Sequence, residues 1–159
     1  MAKFLYGAFG ASLDVLARTP MWENGMDYKC GSGHGVGFAL NVHESPPGFR
    51  YNPTPAMLVK IEEGMVITNE PGVYKADKWG VRTENTLLAV KDFTNSDGTF
   101  MKFKVLSFCP IDSRAIDKTL LSNDELKWLN DYHAKTYETL SPFMNDEEAA
   151  WLKEETKAL

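Results

Sequence analysis

The chain of 159 residues is 43% hydrophobic and 12% aromatic, which suits one packed globular unit and excludes an intrinsically disordered chain. Its formal charge of -5 has the wrong sign for a surface that follows the phosphate backbone of a nucleic acid, so we expect no nucleic-acid partner. No apolar run approaches the roughly 20 residues of a membrane span, and 2 widely separated cysteines favour a reducing compartment. We therefore expect a cytoplasmic protein with no membrane partner.

The first predicted element is a helix over residues 12–22. Its apolar residues recur at near-helical spacing, and Pro20 is expected to kink or split it. Alternating glycines over residues 31–37 indicate a crowded turn that leads into a strand over residues 38–43. A proline-rich surface loop is predicted from Ser45 onward.

Strands are predicted through the middle of the chain. Residues 65–70 and 81–90 each have a strand-like pattern, and we expect the two strands to be neighbours joined by a loop. A further strand is predicted over residues 100–108, after the polar turn at residues 95–98. These segments favour an antiparallel sheet.

The last third of the chain is predicted to be helical. Ser122 and Glu125, three residues apart, form a capping box that begins one helix. One side of this helix carries a largely apolar stripe, made of Leu126, Leu129, His133, Tyr137 and Leu140. We expect His133 to lie at the edge of a packed surface and assign it no chemical role.

A second C-terminal helix is predicted to begin near Asn145 or Asp146. Acidic residues in its first turn suit the helix dipole, and Trp151 and Leu152 are predicted to face inward. The expected architecture is α+β, a curved antiparallel sheet with helices at both ends of the chain.

The strongest candidates for chemistry are His34, His43, Glu70 and Glu84, which lie in or beside predicted strands. A carboxylate on a buried strand needs a partner, because an unpaired buried charge is costly. A cation shared by both glutamates would satisfy them, and one imidazole with two carboxylates suits Mn²⁺, Zn²⁺ or Co²⁺. Two alternatives stay open at this point: a lone histidine in a glycine-rich turn is often structural, and Glu84 could pair with Arg82 or a nearby lysine.

Three motifs carry a resemblance to a known family. Residues 31–44 (GSGHGVGFALNVHE), 63–74 (EGMVITNEPGVY) and 79–85 (WGVRTEN) resemble the metal-site motifs of the Xaa-Pro aminopeptidases (aminopeptidase P), members of the pita-bread metallopeptidase superfamily. The tail from residue 110 resembles the C-terminal extension of the larger, eukaryotic-type branch. This resemblance implies part of a pita-bread catalytic domain over residues 1–109, truncated at its N-terminal side, and a helical extension over residues 110–159.

The resemblance also implies roles for individual residues. His34 and Glu70 would be metal ligands, and Glu84 would bridge two divalent ions, with Mn²⁺ the expected metal and Zn²⁺ or Co²⁺ the alternatives. Glu70 or Glu84 would accept a proton from the attacking water. His43 would stabilise the developing tetrahedral intermediate or shuttle protons. Arg82 is expected to project to the same sheet face as Glu84 and to orient that carboxylate or the substrate.

Two departures from the family pattern affect these expectations. Cys30 stands where the family usually has a histidine that lines the substrate site, so recognition of proline is expected to be altered. The two aspartate ligands of the family lie upstream of the first helix and have no counterpart here, and Asp14 is no substitute. We expect the isolated chain to be inactive and to bind metal weakly.

The resemblance implies a peptide substrate with proline in second position and a homodimer. Self-association is also expected from an uncovered strand edge. Trp128 and Trp151 could anchor such an interface, although they could equally pack the helices onto the sheet. Other hypotheses are a prolidase or methionine aminopeptidase of the same fold, a non-catalytic pita-bread module that binds peptides, and a split reading frame.

Overall fold

The computed structural model describes residues 2–159, which divide into two compact units, one ending at Ser107 and the other spanning Phe108–Leu159. The first unit contains helix α1 and eight strands. The helix is α1 (Gly10–Glu23), and the strands are β1 (Lys3–Leu5), β2 (Gly33–His34), β3 (Gly48–Phe49), β4 (Val66–Asn69), β5 (Gly72–Lys75), β6 (Trp79–Arg82), β7 (Asn85–Asn95) and β8 (Gly98–Val105).

The main sheet of the first unit has four antiparallel strands in the order β1-β8-β7-β4. Strands β4 and β7 pair with Val66 opposite Leu88, which confirms that the segments predicted at residues 65–70 and 81–90 are neighbours. The hairpin of β7 and β8 confirms the predicted turn and third strand. Two short ladders, β2-β3 and β5-β6, complete the unit.

The core of this unit lies on one face of the main sheet, where alternate side chains of the strands point inward. It consists of Phe4, Phe49, Ile61, Ile67, Leu87, Ala89, Met101 and Phe103. Ile67 is fully buried in β4, so the strand that leads to Glu70 is held in place by packing.

Helix α1 is continuous through Pro20, so the predicted split does not occur. Pro20 lies only three residues before the end of the helix at Glu23. Proline removes one backbone hydrogen-bond donor, but few helical residues remain after it, so the helix is not split. The side-chain amide of Asn24 also donates to the Pro20 carbonyl at 2.9 Å and satisfies that acceptor at the helix end.

The prediction of a strand over residues 38–43 is wrong, because this segment is a tight loop. The loop is closed by hydrogen bonds from Gly37 N to Asn41 O and from Glu44 N to Gly35 O, both 2.9 Å. Ala39 and Leu40 have positive φ angles of 50° and 69°, which no strand accommodates. The apolar side chains that suggested a strand are exposed, so the apolar pattern here does not mark burial.

The hairpin of β5 and β6 was not predicted from the sequence. It places Gly72 opposite Arg82, and a side chain at Gly80 would lie 2.4 Å from the Tyr74 ring. Glu84 falls in the connection between β6 and β7 and is exposed, so the prediction that it lies buried in a strand is wrong. The strand ends at Arg82 and the next one begins at Asn85, which leaves Glu84 on the surface.

The second unit contains helices α2 (Asn123–Leu140) and α3 (Asp146–Glu155). Ser122 and Glu125 form the predicted capping box, and Asn145 with Glu148 forms another at the start of α3. Leu152 is buried as predicted, whereas the prediction for Trp151 is wrong. Trp151 is 56% exposed. Adjacent residues of a helix point in different directions, and in α3, a helix of 10 residues, it is Leu152 that points inward.

His133 in α2 is fully buried, which corrects the expectation of a residue at the edge of a packed surface. Its Nε2 atom accepts a hydrogen bond from the backbone N–H of Ile111 at 3.1 Å, so the imidazole ties α2 to the segment before it. Over residues 2–159, no helix has the length and apolar content required to cross a membrane.

Candidate metal and substrate site

Two backbone segments bring His34 and Glu70 together. The N–H of Glu70 donates to the Ser32 carbonyl at 2.7 Å, and Gly35 forms a bridge with Ile67 of β4. A Cβ atom at Gly33 would lie 2.0 Å from the Thr68 carbonyl oxygen, so only glycine permits this approach. The alternating glycines therefore serve to seat the segment that carries His34 directly against β4.

The His34 and Glu70 side chains are in direct contact. The Nε2 atom of His34 lies 2.9 Å from Oε1 of Glu70, and the Nδ1 atom lies 2.9 Å from the Gly35 carbonyl oxygen. A carbonyl oxygen only accepts hydrogen bonds, so Nδ1 is the donor in this contact. Nε2, which faces the Glu70 carboxylate, is then the ring nitrogen that could bind a metal ion. An imidazole whose other nitrogen is held by a backbone carbonyl is a common arrangement for a metal ligand, and His34 and Glu70 are two donors of the kind that divalent cations bind.

Thr68 links these two residues and was missed by the sequence reasoning. Its hydroxyl accepts a hydrogen bond from His34 N at 2.9 Å and donates to Glu70 Oε1 at 3.0 Å. Thr68 is buried, so water does not compete for these bonds. The available signal was that Thr68 lies in β4 two residues before Glu70, which directly follows the strand, because residues i and i+2 of an extended segment point the same way.

Arg82 contacts Glu70 from the other side. Its Nη1 atom forms an ion pair with Glu70 Oε2, so the carboxylate that Arg82 contacts is Glu70 and not Glu84. The alternative role of Arg82 toward the substrate stays a prediction. Partial burial lowers the pKa of Arg82, but the charge of Glu70 raises it, and the net shift is upward. Both oxygens of Glu70 are therefore engaged by protein groups.

Cys30 lies beside Arg82 in the same group of residues. Its Sγ atom is 3.4 Å from the Gly72 carbonyl oxygen, to which the thiol donates, and 3.9 Å from Nη2 of Arg82. The guanidinium of Arg82 also lies 5.6 Å from the centre of the Tyr74 ring. The structure thus places Cys30 against Arg82, and Arg82 in turn contacts Glu70.

His43 lies next to His34, with 4.2 Å between the two ring centres and an angle of 40° between the rings. His43 is exposed, whereas His34 is half-buried. Glu84 is exposed outside this cluster. Within residues 2–159, no group of three or more His, Cys, Asp or Glu side chains is arranged to hold a metal ion.

A buried ion-pair network lies behind the segment that carries His34. Ser32 donates to Asp14, and the Tyr28 hydroxyl donates to Ser32. Arg18 forms an ion pair with Asp14 at 2.6 Å and donates to the carbonyl oxygens of Tyr28 and Cys30. Side chains of helix α1 therefore hold in place the segment that leads to His34, and the sequence did not point to this role.

Comparison with protein families gives two matches that together cover most of the chain. The profile of metallopeptidase family M24 matches residues 1–91, and the profile of the C-terminal region of peptidase_M24 matches residues 99–159.

Individual relatives agree with this result. The chain is 40% identical to Aminopeptidase P1 of Arabidopsis thaliana over 159 residues, which cover 98% of this chain and 24% of the plant protein. It is also 40% identical to a probable Xaa-Pro aminopeptidase P of Coprinopsis cinerea over 164 residues, covering 98% of this chain and 26% of the fungal protein. The chain thus spans about a quarter of the length of these relatives.

A solved structure matches the fold as well. The X-prolyl aminopeptidase of Caenorhabditis elegans, a cytosolic enzyme with a di-nuclear active site, superposes with a TM-score of 0.88 at 39% identity. The match covers 99% of this chain and 26% of that one. The predicted α+β, pita-bread fold is confirmed by this similarity.

Proposed function

Because the chain belongs to metallopeptidase family M24, we propose that it supplies part of an Xaa-Pro aminopeptidase, which removes the N-terminal residue from peptides with proline in second position. The names of the plant, fungal and nematode relatives support this substrate class. The observation that carries the proposal is the contact between His34 Nε2 and Glu70 Oε1 at 2.9 Å. This contact brings together one candidate ligand from the motif at residues 31–44 and one from the motif at residues 63–74.

We propose His34, Glu70 and Glu84 as the metal ligands, with Mn²⁺ as the expected metal and Zn²⁺ or Co²⁺ as alternatives. His34 and Glu70 are in contact in this structure, whereas Glu84 is exposed outside that pair. Nε2 of His34 would be the nitrogen that binds the metal, because Nδ1 faces the Gly35 carbonyl. Thr68 holds Oε1 of Glu70 toward His34. Two bound ions would supply Lewis acidity and an activated water for attack on the scissile carbonyl. Glu70 or Glu84 would accept the proton of that water.

The substrate side of the site is assigned to His43, Arg82 and Cys30. His43 is exposed beside His34, so its ring can donate a proton to the carbonyl oxygen of a bound peptide. Arg82 holds Oε2 of Glu70 and so fixes the orientation of that carboxylate. Cys30 offers only a weak thiol donor where the family has an imidazole, which supports altered recognition of proline.

We propose that the isolated chain is inactive and binds metal weakly, because the sequence contains no counterpart of the two family aspartates. The test is a titration with Mn²⁺ followed by electron paramagnetic resonance, together with an assay on an Xaa-Pro peptide. Weak binding that is lost in His34→Ala and retained in His43→Ala would support the assignment. Turnover by the isolated chain that disappears in His34→Ala would show that its ligand set is complete without those aspartates.

We also propose a cytoplasmic location and a homodimer. The cytosolic location of the nematode relative supports the first point. The exposed Trp151 supports the second, since large aromatic side chains are common anchors of interfaces. Light scattering across a concentration series tests association, and loss of the dimer in Trp151→Ala with unchanged circular dichroism would place the interface on α3. A strict monomer at high micromolar concentration would contradict the dimer.

A further inference from the structure

A cavity of about 310 Å³ lies beside the end of α1 and is independent of the proposed metal ligands. It is lined by residues from α1, from the segment at residues 27–31 and from the segment at residues 50–52. The volume is within the usual range for small-molecule pockets, about 300–1,000 Å³. Four charged side chains line it, namely Arg18, Asp27, Lys29 and Arg50.

The charge of this lining is unbalanced. The single lining carboxylate, Asp27, accepts a hydrogen bond from Arg18 at 2.8 Å and is therefore already engaged. Lys29 and Arg50 form no ion pair or hydrogen bond with any other residue in the part of the chain that the structure describes. Two lining cations thus have no protein counter-charge.

Arg18 adds a buried donor to these two cations. Arg18 is only 4% exposed. Four of the five N–H groups of its guanidinium donate hydrogen bonds, to Asp14, Asp27, Tyr28 and Cys30. A guanidinium has five N–H donors, so one N–H on Nη2 is left over in a group that lines the cavity. A buried donor without an acceptor is costly, and a ligand oxygen would satisfy it.

The local backbone keeps Arg50 beside the cavity. A Cβ atom at Gly31 would lie 3.1 Å from Cγ and 3.2 Å from Nε of Arg50, so the glycine leaves room for this side chain. Tyr51 adds an aromatic wall, and the guanidinium carbon of Arg18 lies 5.8 Å from the centre of its ring. The cavity therefore combines cationic donors with one apolar surface.

We propose that this cavity binds a small organic oxyanion, which carries a carboxylate or phosphate group and a flat or apolar portion. The anionic group contacts Arg50, Lys29 and the spare N–H of Arg18, and the apolar portion packs on Tyr51. Charge-assisted bonds to guanidinium groups suit both carboxylate and phosphate. The same Arg18 holds the carbonyls of Tyr28 and Cys30, so an occupied site stiffens the segment that leads to His34.

The test is a titration of the whole chain by ¹⁵N NMR at constant ionic strength, with acetate and inorganic phosphate as separate probes and chloride as the balancing salt. We expect saturable shifts at residues 29–31 and 50–52 at millimolar probe. Saturation by phosphate alone or by acetate alone identifies the preferred anionic group. Shifts that stay linear and spread over all exposed lysines for both probes would overturn the proposal.

Two variants sharpen this test. Arg50→Gln removes one donor group and is expected to weaken binding at least about tenfold, the change that follows from losing roughly one charge-assisted hydrogen bond. Lys104→Gln removes an equal charge from an exposed position on β8 and should leave the affinity unchanged. If both variants weaken anion binding equally, binding depends only on net charge and the proposed site is contradicted. Unchanged affinity in a folded Arg50→Gln protein would also contradict the proposed contact.

Discussion

Replacing Thr68 by valine tests whether its hydroxyl positions Glu70 for metal binding. Valine keeps the β-branched shape that suits a strand and removes only the polar group. The change therefore deletes the donor to Glu70 Oε1 and the acceptor for His34 N, at 3.0 Å and 2.9 Å respectively. Packing in β4 is largely retained.

The magnitude follows from these two bonds. A hydrogen bond to a charged acceptor contributes about 1.5–3 kcal/mol, and a backbone N–H left without a partner costs about 1–3 kcal/mol. Because the contributions of two neighbouring hydrogen bonds do not simply add, we expect Thr68→Val to lower the free energy of unfolding by about 3 kcal/mol. Loss of a group that orients a ligand typically weakens metal binding about 10–100-fold, and we expect that range here.

Urea denaturation measures the first effect, and a Mn²⁺ titration below the unfolding transition measures the second. Thr68→Ser restores the hydroxyl and should recover metal affinity even if it remains less stable. Thr86→Val is the matched control, since Thr86 pairs with Thr68 across the ladder and, within residues 2–159, the bonds to His34 N and Glu70 Oε1 come from Thr68 and not from Thr86. If Thr68→Ser and Thr68→Val weaken metal binding equally, the hydroxyl does not position Glu70 and its role is only structural.

Three further predictions concern separate parts of the chain. His34→Ala should lower Mn²⁺ affinity far more than His43→Ala, and the opposite order in a metal titration would exchange their roles. A hydrogen bond from Lys102, together with a second lysine, lowers the pKa of Asp92. The ionised Asp92 should therefore stabilise the folded chain fully above its unfolded-state pKa of about 3.9. This stabilisation should be lost as the pH falls through the lower pKa that Asp92 has in the folded state. The stability gap between the wild type and Asp92→Asn in urea should therefore shrink at acidic pH, and a constant gap would contradict the ion pair. Leu152→Ala should cost about 2–5 kcal/mol in thermal unfolding, because Leu152 is fully buried, and a loss below 1 kcal/mol would contradict its burial.

Local sequence rules predicted the parts of the structure that depend on nearby residues. The capping box at Ser122 follows from two residues three positions apart, and the start of α3 near Asn145 follows from the acidic residues of its first turn. The pairing of β4 with β7 follows from two apolar segments separated by one connection. The motifs around His34 and Glu70 also pointed to side chains that the structure brings into contact.

The parts that were missed depend on contacts between distant residues. The Thr68 hydroxyl acquires its role only because β4 lies against a segment 34 positions earlier in the chain. The loop at residues 38–43 has an apolar pattern, but its backbone turns at Ala39 and Leu40, and no propensity rule anticipates positive φ at leucine. Burial of His133 likewise depends on the Ile111 N–H, 22 positions away.

The central feature of the site is the division of one carboxylate between two sets of partners. Oε2 of Glu70 is bound by Arg82, whereas Oε1 faces Thr68 and His34. The fixed guanidinium of Arg82 therefore decides which oxygen is presented to the imidazole, and the Thr68 hydroxyl fixes its direction. A shorter or more flexible cation at position 82 would free Glu70 to rotate without removing any candidate ligand. Orientation of Glu70, rather than the presence of donors alone, is thus what residues outside the ligand set contribute to this site.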